Sequence, residues 1–444
     1  MLNAADNELL TRTGPRTPTG TYLRRFWQPA LLPAELPTPD CAPVRFRLMS
    51  EDLVAFRDTS GRVGFLAAKC PHRRASLFWG RNEEDGLRCV YHGWKFDVNG
   101  NCVDMPSEPD ASHFKDKVHA LAYPARERGG IIWIYMGPAH LMPEFPDYDW
   151  CLPPNDPNQQ VHKWRQESNY LQGLEGNLDS AHVSFLHRWF GRMLDILVSG
   201  APKLTAMETD FGFVYGARRP AEDGAYHWRV TPFVMPGYTV IPNRWGPGAG
   251  FFTIPMDDHH SWWFTIQRSA PVDPGPPRDV YVDLIPGTFT MTHNITNDLL
   301  IDRDQQVHVN YTGLPTNRVQ DAAISESMGS IVDRPEEHLG TSDIAIIFMR
   351  RMLLRAVRDL ANGIEPAIAS HPQWHHVMPL DVDSPEADLA RVWTTWRALA
   401  TLPPEQPPQQ AHVACPIQPR YRANHRLRRR LRQHTRRAFV ELRP

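Results

Sequence analysis

The chain has 444 residues, 41% of them hydrophobic and 22% charged, with a formal net charge of −2. That length exceeds the ~250–300 residues one core usually fills, so two or three domains are expected, and the composition excludes wholesale disorder. Near-neutral charge argues against a surface given over to nucleic acid, and 42 prolines, about twice the usual ~5%, rule out an architecture of long helices.

In chain order, Met1 to Asp6 lacks the basic and apolar stretches of a signal peptide. No run reaches about 18 apolar residues, and six cysteines are too few for a disulfide framework. The expectation is a cytoplasmic, soluble protein. Asp6 to Leu10 and Tyr22 to Leu32 predict a helical lead-in over residues 1–40, closed by Leu36-Pro37-Thr38-Pro39. Short β segments follow: Val44 to Met49, Leu53 to Arg57, Val63 to Ala68, Leu87 to Tyr91, Lys95 to Val98 and the apolar run Ile131 to Tyr135. Ser60-Gly61 and Asn99-Gly100 supply turns. A linker from Gly137-Pro138 to Pro157 ends this β region. Beyond it, Trp164 to His187 has roughly helical spacing, Phe211 to Tyr215, Trp228 to Pro232, Phe251 to Pro255 and Ser261 to Gln267 read as strands, and residues 320–362 as helix. The second region is therefore α+β. A Pro/Gln-rich and then Arg-rich tail occupies 401–444, with ten arginines between Arg420 and Arg443; it reads as a solvated or subunit-contact segment.

Two constellations carry chemistry. Cys70-Pro71-His72 and, sixteen residues on, Cys89-Val90-Tyr91-His92 give each of two loops one thiolate and one imidazole. Zinc fingers place both cysteines before both histidines, which is not the order here. Alternating Cys-His pairs suit a [2Fe–2S] cluster with cysteines on one iron and histidines on the other, the Rieske arrangement. The second constellation is Asp179-x-x-His182-x-x-x-x-His187. Asp179 and His182 share a helix face, but His182 and His187 are about 140° apart on an ideal helix, so both reach one metal only where the helix ends or bulges. Two neutral imidazoles and a carboxylate form the facial triad of non-haem Fe(II) oxygenases. Asp321 and Asp343, each on a later helical segment, are the candidate carboxylates.

With these residues in hand, the chain resembles the oxygenase (α) subunit of Rieske non-haem iron aromatic-ring-hydroxylating oxygenases, phthalate 4,5-dioxygenase-like branch. The resemblance runs from about Ala5 to Leu360 and includes Arg25 to Ala30, the cluster loops, Glu175 to His187, Asp298 to Asp304 and Gln320-Asp321 through Asp333-Arg334. It implies an α+β fold: an N-terminal all-β Rieske [2Fe–2S] domain over 41–140, then a helix-grip-like catalytic domain with an antiparallel sheet over 141–400. It also implies that Cys70, His72, Cys89 and His92 bind the cluster and that His182, His187 and Asp321 bind a mononuclear Fe(II). Asp179 then bridges to a Rieske histidine across a subunit boundary. The family usually has glycine where this chain has Arg74. The function implied is a terminal oxygenase hydroxylating an aromatic, carboxylated substrate with O₂. The alternative is O-demethylation or hydroxylation of an alkyl or tertiary-alcohol substrate. Partners implied are a separate NAD(P)H-dependent flavin/iron–sulfur reductase and further copies of the chain as a homotrimer or hexamer; the chain has no G-x-G-x-x-G for a nicotinamide cofactor. A substrate carboxylate calls for a buried arginine: Arg244 first, Arg218 and Arg219 as alternatives. Phe185, Phe252, Trp228 and Met256 are candidates for the apolar wall. A bare electron-transfer protein or a zinc-containing nucleic-acid binder are the rival classes.

Overall fold

The structure is a computed structural model describing residues 2–151, 159–190, 201–243, 246–267 and 282–400. Two compact units divide the chain, Met1–Trp393 and Thr394–Pro444. Arg244 and the tail over 401–444 lie outside the described residues.

The chain opens with helices α1 (Ala4–Thr11) and α2 (Pro18–Leu23), capped by the side chains of Asn3 and Thr17. The expected helix over Tyr22 to Leu32 stops at Leu23, and Trp27–Leu31 is instead strand β1. Pro29 explains the switch: it lacks the N–H a helix interior needs, and β1 lies at a sheet edge, where proline is tolerated. Two four-stranded antiparallel sheets build the small β lobe. One orders β2 (Val44–Leu48), β3 (Glu51–Arg57), β4 (Val63–Ala67) and β9 (Ala122–Tyr123). The other orders β5 (Arg81–Glu83), β6 (Gly86–Arg88), β7 (Lys95–Phe96) and β8 (Cys102–Asp104). Val54, Phe56, Leu66, Leu77, Leu87, Trp94 and Phe96 form its core, and Cys70 and Cys89 belong to it. The apolar run Ile131–Tyr135 (β11) is wholly buried between β1 and β10 (Ala125–Arg128).

The second lobe is an eight-stranded antiparallel sheet in the order β12 (Gln160–Gln166), β18 (Ser261–Gln267), β17 (Gly246–Pro255), β16 (Tyr238–Asn243), β15 (Tyr226–Val234), β14 (Gly212–Pro220) and β13 (Lys203–Thr209), with β19 (Leu380–Ser384) also on β15. Strand register assigns its faces. The outer face carries Tyr238, Phe252 and Trp262; Phe252 meets Trp133 and Tyr148 edge-on, Tyr238 meets Tyr148 likewise, and Trp262 stacks on Phe46 of the first lobe. The inner face carries Phe213, Tyr215, Phe251, Thr253 and Trp263, covered by α3 (Tyr170–Leu178), α5 (Asn317–Ser327) and α6 (Ile344–Ala361), while α4 (Arg303–His308) is a short connector. Gly173 lets α3 lie close on the sheet; a Cβ there would stand 2.5 Å from the Trp263 ring and 2.6 Å from Thr253.

The helical reading of Trp164 to His187 is too long: its start is β12, and α3 spans only Tyr170–Leu178, because Asn169 caps it. Residues 320–362 hold two helices, broken after Ser327 by Gly329, in the left-handed region at φ +86°. Helix α7 (Leu389–Ala400) follows β19. Among the described residues no helix is long and apolar enough to cross a membrane.

Candidate metal centres

Two short loops present the Cys/His donors, and each closes in the same way. Cys70 N–H donates to Ala75 O and Arg74 N–H to Cys70 O; Cys89 N–H donates to Trp94 O and Gly93 N–H to Cys89 O, all at 2.8–3.0 Å. Both loops turn through a left-handed residue, Arg74 at φ 63° and Gly93 at φ 78°. Arg74 therefore occupies the place where glycine is cheapest, and the loop keeps its shape at some cost in strain.

Both thiols are buried, at 2% and 3% exposure, and the His72 and His92 rings meet edge-on with centroids 4.4 Å apart. Trp94 stacks on His72 at 4.3 Å. The Nδ1 atoms of both histidines are buried with no hydrogen-bond partner. Unpaired buried nitrogens are costly, and two on adjoining rings beside buried thiols call for an electrophile. Burial raises the Cys70 thiol to about 11, with neighbouring Cys89 adding to the rise, so an ionised sulfur there needs a bound cation. Two buried sulfurs and two Nδ1 atoms without hydrogen-bond partners fit a [2Fe–2S] group. Among the described residues the four do not close into a compact donor set for one ion, which speaks against zinc.

The compact set lies in the second lobe: His182, His187 and Asp321, with donor atoms all within 4.8 Å of one another. Helix α3 ends at Leu178 with Asp179 as its C-cap, and His182–Ser184 forms a 3₁₀ turn, so the 140° problem is solved by ending the helix. His182 Nε2 and His187 Nε2 approach to 3.2 Å, and Asp321 Oδ1 stands 3.1 Å from His187 Nε2 and 3.7 Å from His182 Nε2. Nitrogens on adjacent corners of a divalent first-row metal, each bond about 2.1 Å, stand about 3 Å apart. The donor set fits such an ion.

Supporting contacts fix each ligand. Gln320 Oε1 lies 2.7 Å from His187 Nδ1, and its amide nitrogen donates to Leu314 O, so His187 carries its proton on Nδ1 and turns the Nε2 lone pair inward. Asp179 Oδ1 accepts from the Ala181 and His182 N–H groups, and its Oδ2 is 3.5 Å from His182 Nδ1. Burial opposes its charge, yet these donors hold the Asp179 carboxyl below its ordinary range. Asp321 is likewise held ionised against burial, by His187 first and Arg318 after it. Arg318 Nη1 donates to Asp321 Oδ2 at 3.1 Å. Sequence reading gives Arg318 no role and takes Gln320 only as the residue before Asp321 in the resemblance, since the contacts of both are made across the fold.

The other candidates scatter. Asp343 is not brought to the set: it precedes α6 and accepts from Gly340 N–H. Phe252 points to the outer face, against Trp133 and Tyr148, beside a cavity of about 20 Å³ that has room for a water and no substrate. Trp228 is likewise turned from the donors, donating to Glu386 O under Gly216 and Leu389. Arg218 is spent on Ala387 O and the Tyr226 ring. Met256 sits in a turn facing His260. Phe185 does stay beside the set, following the His182 turn, but is 60% exposed, near Tyr311. Arg219 is the arginine the inner face keeps: it is 2% exposed, and its Nε and Nη1 have no partner. Two residue pairs along the same face, Tyr215 feels the charges of both Arg219 and Asp179.

Comparison with known proteins agrees with this layout. Residues 26–118 match the model of the Rieske [2Fe-2S] domain and residues 192–412 that of the LigXa C-terminal domain like family. The phthalate 4,5-dioxygenase oxygenase subunit of Pseudomonas putida is 38% identical over 399 residues, 83% of this chain and 89% of that one. The 3-chlorobenzoate-3,4-dioxygenase oxygenase subunit of Comamonas testosteroni is 37% identical over 403 residues, 81% and 90% of the two chains. The tert-butanol monooxygenase / tert-amyl alcohol desaturase oxygenase subunit of Aquincola tertiaricarbonis is 35% identical over 380, covering 80% and 77%. Among solved structures, Pseudomonas putida CBB5 NdmA superposes with a TM-score of 0.54 at 19% identity, over 81% of this chain and 97% of that one. That likeness bears on the fold alone.

Proposed function

The chain belongs to the Rieske non-haem iron oxygenases, as an oxygenase (α) subunit of the phthalate 4,5-dioxygenase-like branch, and from that premise we propose which residues carry the reaction and on what substrate. The enzyme is the terminal oxygenase of a multicomponent system, with a Rieske cluster and a mononuclear iron as cofactors. Cys70, His72, Cys89 and His92 hold the first; His182, His187 and Asp321 hold the second. The observation that carries the second assignment is the 3.2 Å approach of the two Nε2 atoms with Asp321 Oδ1 beside them. The reading divides the chain into a Rieske domain over 41–140 and a catalytic domain over 141–400.

When bound, the cluster supplies electrons one at a time and the mononuclear iron the reductive activation of O₂. The protein's part is positioning. Gln320 fixes the His187 tautomer, and the ionised Asp179 faces His182 Nδ1–H with Oδ2 while keeping lone pairs for a second imidazole. That second imidazole would be His72 or His92 of another copy of the chain. Supporting this, Phe185 and Phe190 are exposed on the segment that carries His182 and His187, with exposed Tyr311 and Val309 packed on them, and Val90 and Tyr91 are exposed on the second cluster loop. Apolar surfaces of this kind mark contacts, here between copies of the chain in a closed homotrimer. The electrons come from a separate NAD(P)H-dependent flavin/iron–sulfur reductase.

The substrate we infer is an aromatic carboxylate. Arg219 supports this reading: burial first, then the nearby Arg229, lowers its pKa, and a substrate carboxylate would accept from one of its free nitrogens and supply a counter-charge. The second reading, hydroxylation or demethylation of a neutral alkyl or alkoxy substrate, leaves Arg219 unpaired. Single turnover of the reduced protein under ¹⁸O₂, with aromatic acids against methoxy-aromatics and tertiary alcohols, separates them. A cis-diol acid carrying both labelled atoms is expected; a product only from neutral compounds would overturn the carboxylate assignment. In the same assay Asp179→Asn should keep both metal centres and lose most coupled turnover, by about 10²-fold or more. Wild-type coupling would contradict the bridge.

A further inference from the structure

Arg318 is the side chain of the iron site that no ligand role explains. It lies three residues before Asp321 on α5, so the two share a helix face. Its side chain is 12% exposed, its guanidinium carbon sits 4.4 Å from the centre of the Phe251 ring, and its Nε has no partner. The stack and the helix hold the group in one place. Burying a cation is costly, and the only anion given to it among the described residues is Asp321 Oδ2, at 3.1 Å. The two oxygens of Asp321 are thereby divided: Oδ1 faces the two Nε2 atoms and Oδ2 faces Arg318.

We propose that Arg318 is a positioning residue that holds Asp321 as a one-oxygen donor. A free carboxylate beside a divalent cation can chelate with both oxygens, taking two places on the metal. Engaging Oδ2 keeps the second place open for O₂ or for water that substrate displaces. The fixed cation also offsets the carboxylate charge, so the site binds metal less tightly than its ligands allow. Arg318 thus exchanges metal affinity for an open coordination place. This inference rests on His182, His187 and Asp321 being the iron ligands, and its test is arranged to tell the two failures apart.

The experiment loads wild type, Arg318→Gln, Arg318→Lys and Asp321→Ala with Fe(II) without oxygen. It reads the Fe(II) dissociation constant by chelator competition and the ligand-field bands by near-infrared magnetic circular dichroism. Loss of the cation in Arg318→Gln should tighten Fe(II) binding by about tenfold and shift the bands to a higher coordination number, while coupled turnover falls. Arg318→Lys keeps a charged donor and should restore the wild-type bands. A merely structural role would weaken binding or leave the bands unmoved in Arg318→Gln, and either result overturns the proposal. Should Arg318→Gln fail to fold, as thermal melting of the metal-free protein would show, Arg318→Lys still decides: bands of a chelated site in that folded variant contradict it. If Asp321→Ala binds Fe(II) as wild type does, the ligand assignment fails instead.

Discussion

Arg74 and Gly93 show what a single position can require. The two cluster loops repeat one backbone path, and each needs a residue in the left-handed region; Gly93 meets it freely, whereas Arg74 meets it with a Cβ. The departure from glycine visible in the sequence at 74 is therefore a strained residue in an unchanged loop. Arg74→Gly should raise stability by about 0.5–1 kcal/mol in denaturant titration, the left-handed strain released being offset in part by a floppier unfolded chain. A loss of stability would mean that the guanidinium makes a contact worth more than the strain. Gln320 is the opposite case, an unstrained helical residue whose role comes from facing His187 Nδ1 across the fold.

Helix α3 leads into the turn that carries His182 and His187, and its own position is set by a buried charge cluster. Glu175, one turn before Asp179, accepts from Arg334 Nε and Nη2 at 2.8 Å and from Arg350 Nε at 2.7 Å. Arg350 also reaches Glu337, and Arg334 reaches Asn7 of α1. One carboxylate thus ties α3 to α6, to the segment before α6 and to the amino-terminal helix. Glu175→Leu would leave two cations buried with half their partners gone, and should cost about 3–5 kcal/mol in chemical denaturation. A cost below about 1 kcal/mol would show that the cluster does not anchor the helix. The cluster also marks the limit of sequence reading. The periodicity of Trp164 to His187 pointed to a helix in the right place, but where it starts and stops depends on the Asn169 cap and on Trp164 pairing with Trp263 in the sheet, both set by tertiary contacts.

At the scale of the whole chain, the two lobes meet along the outer sheet face, and their contacts are partly ionic. Lys163, on β12, reaches Glu35 at 2.9 Å amid the rings of Phe46, Trp262 and Phe289. Asp257 pairs with Arg47 of β2 and with His260, which also reaches Glu167. Asp257 first, then Glu167, raise His260 to about 9, above its unfolded value of about 6.5. A raised pKa gives stability that is complete below about pH 6.5 and lost as pH climbs through about 9. Thermal melting from pH 6 to pH 10 should therefore show a decline between about pH 6.5 and about pH 9 that is smaller in His260→Gln. An equal decline in both proteins would assign the loss elsewhere.

Much of the candidate site was legible because its proposed donors are local: Cys70-x-His72, Cys89-x-x-His92 and His182 to His187 each lie within one turn or loop. What joins distant segments was not. Asp321 could be ranked above Asp343 only by resemblance, and it takes the fold to lay α5 against the end of α3. Phe252 and Phe251 are adjacent in sequence and face opposite lobes, a distinction that strand register decides and composition does not.

The central claim is that His182, His187 and Asp321 hold an iron separate from the cluster. Iron and acid-labile sulfide would be counted in wild type, His187→Ala and Asp321→Ala, alongside the electron paramagnetic resonance of the reduced cluster. The expected result is about three irons and two sulfides per chain in wild type, and about two irons with an unchanged cluster signal in both variants. Three irons retained in either folded variant, or a cluster signal lost along with the single iron, would contradict the claim.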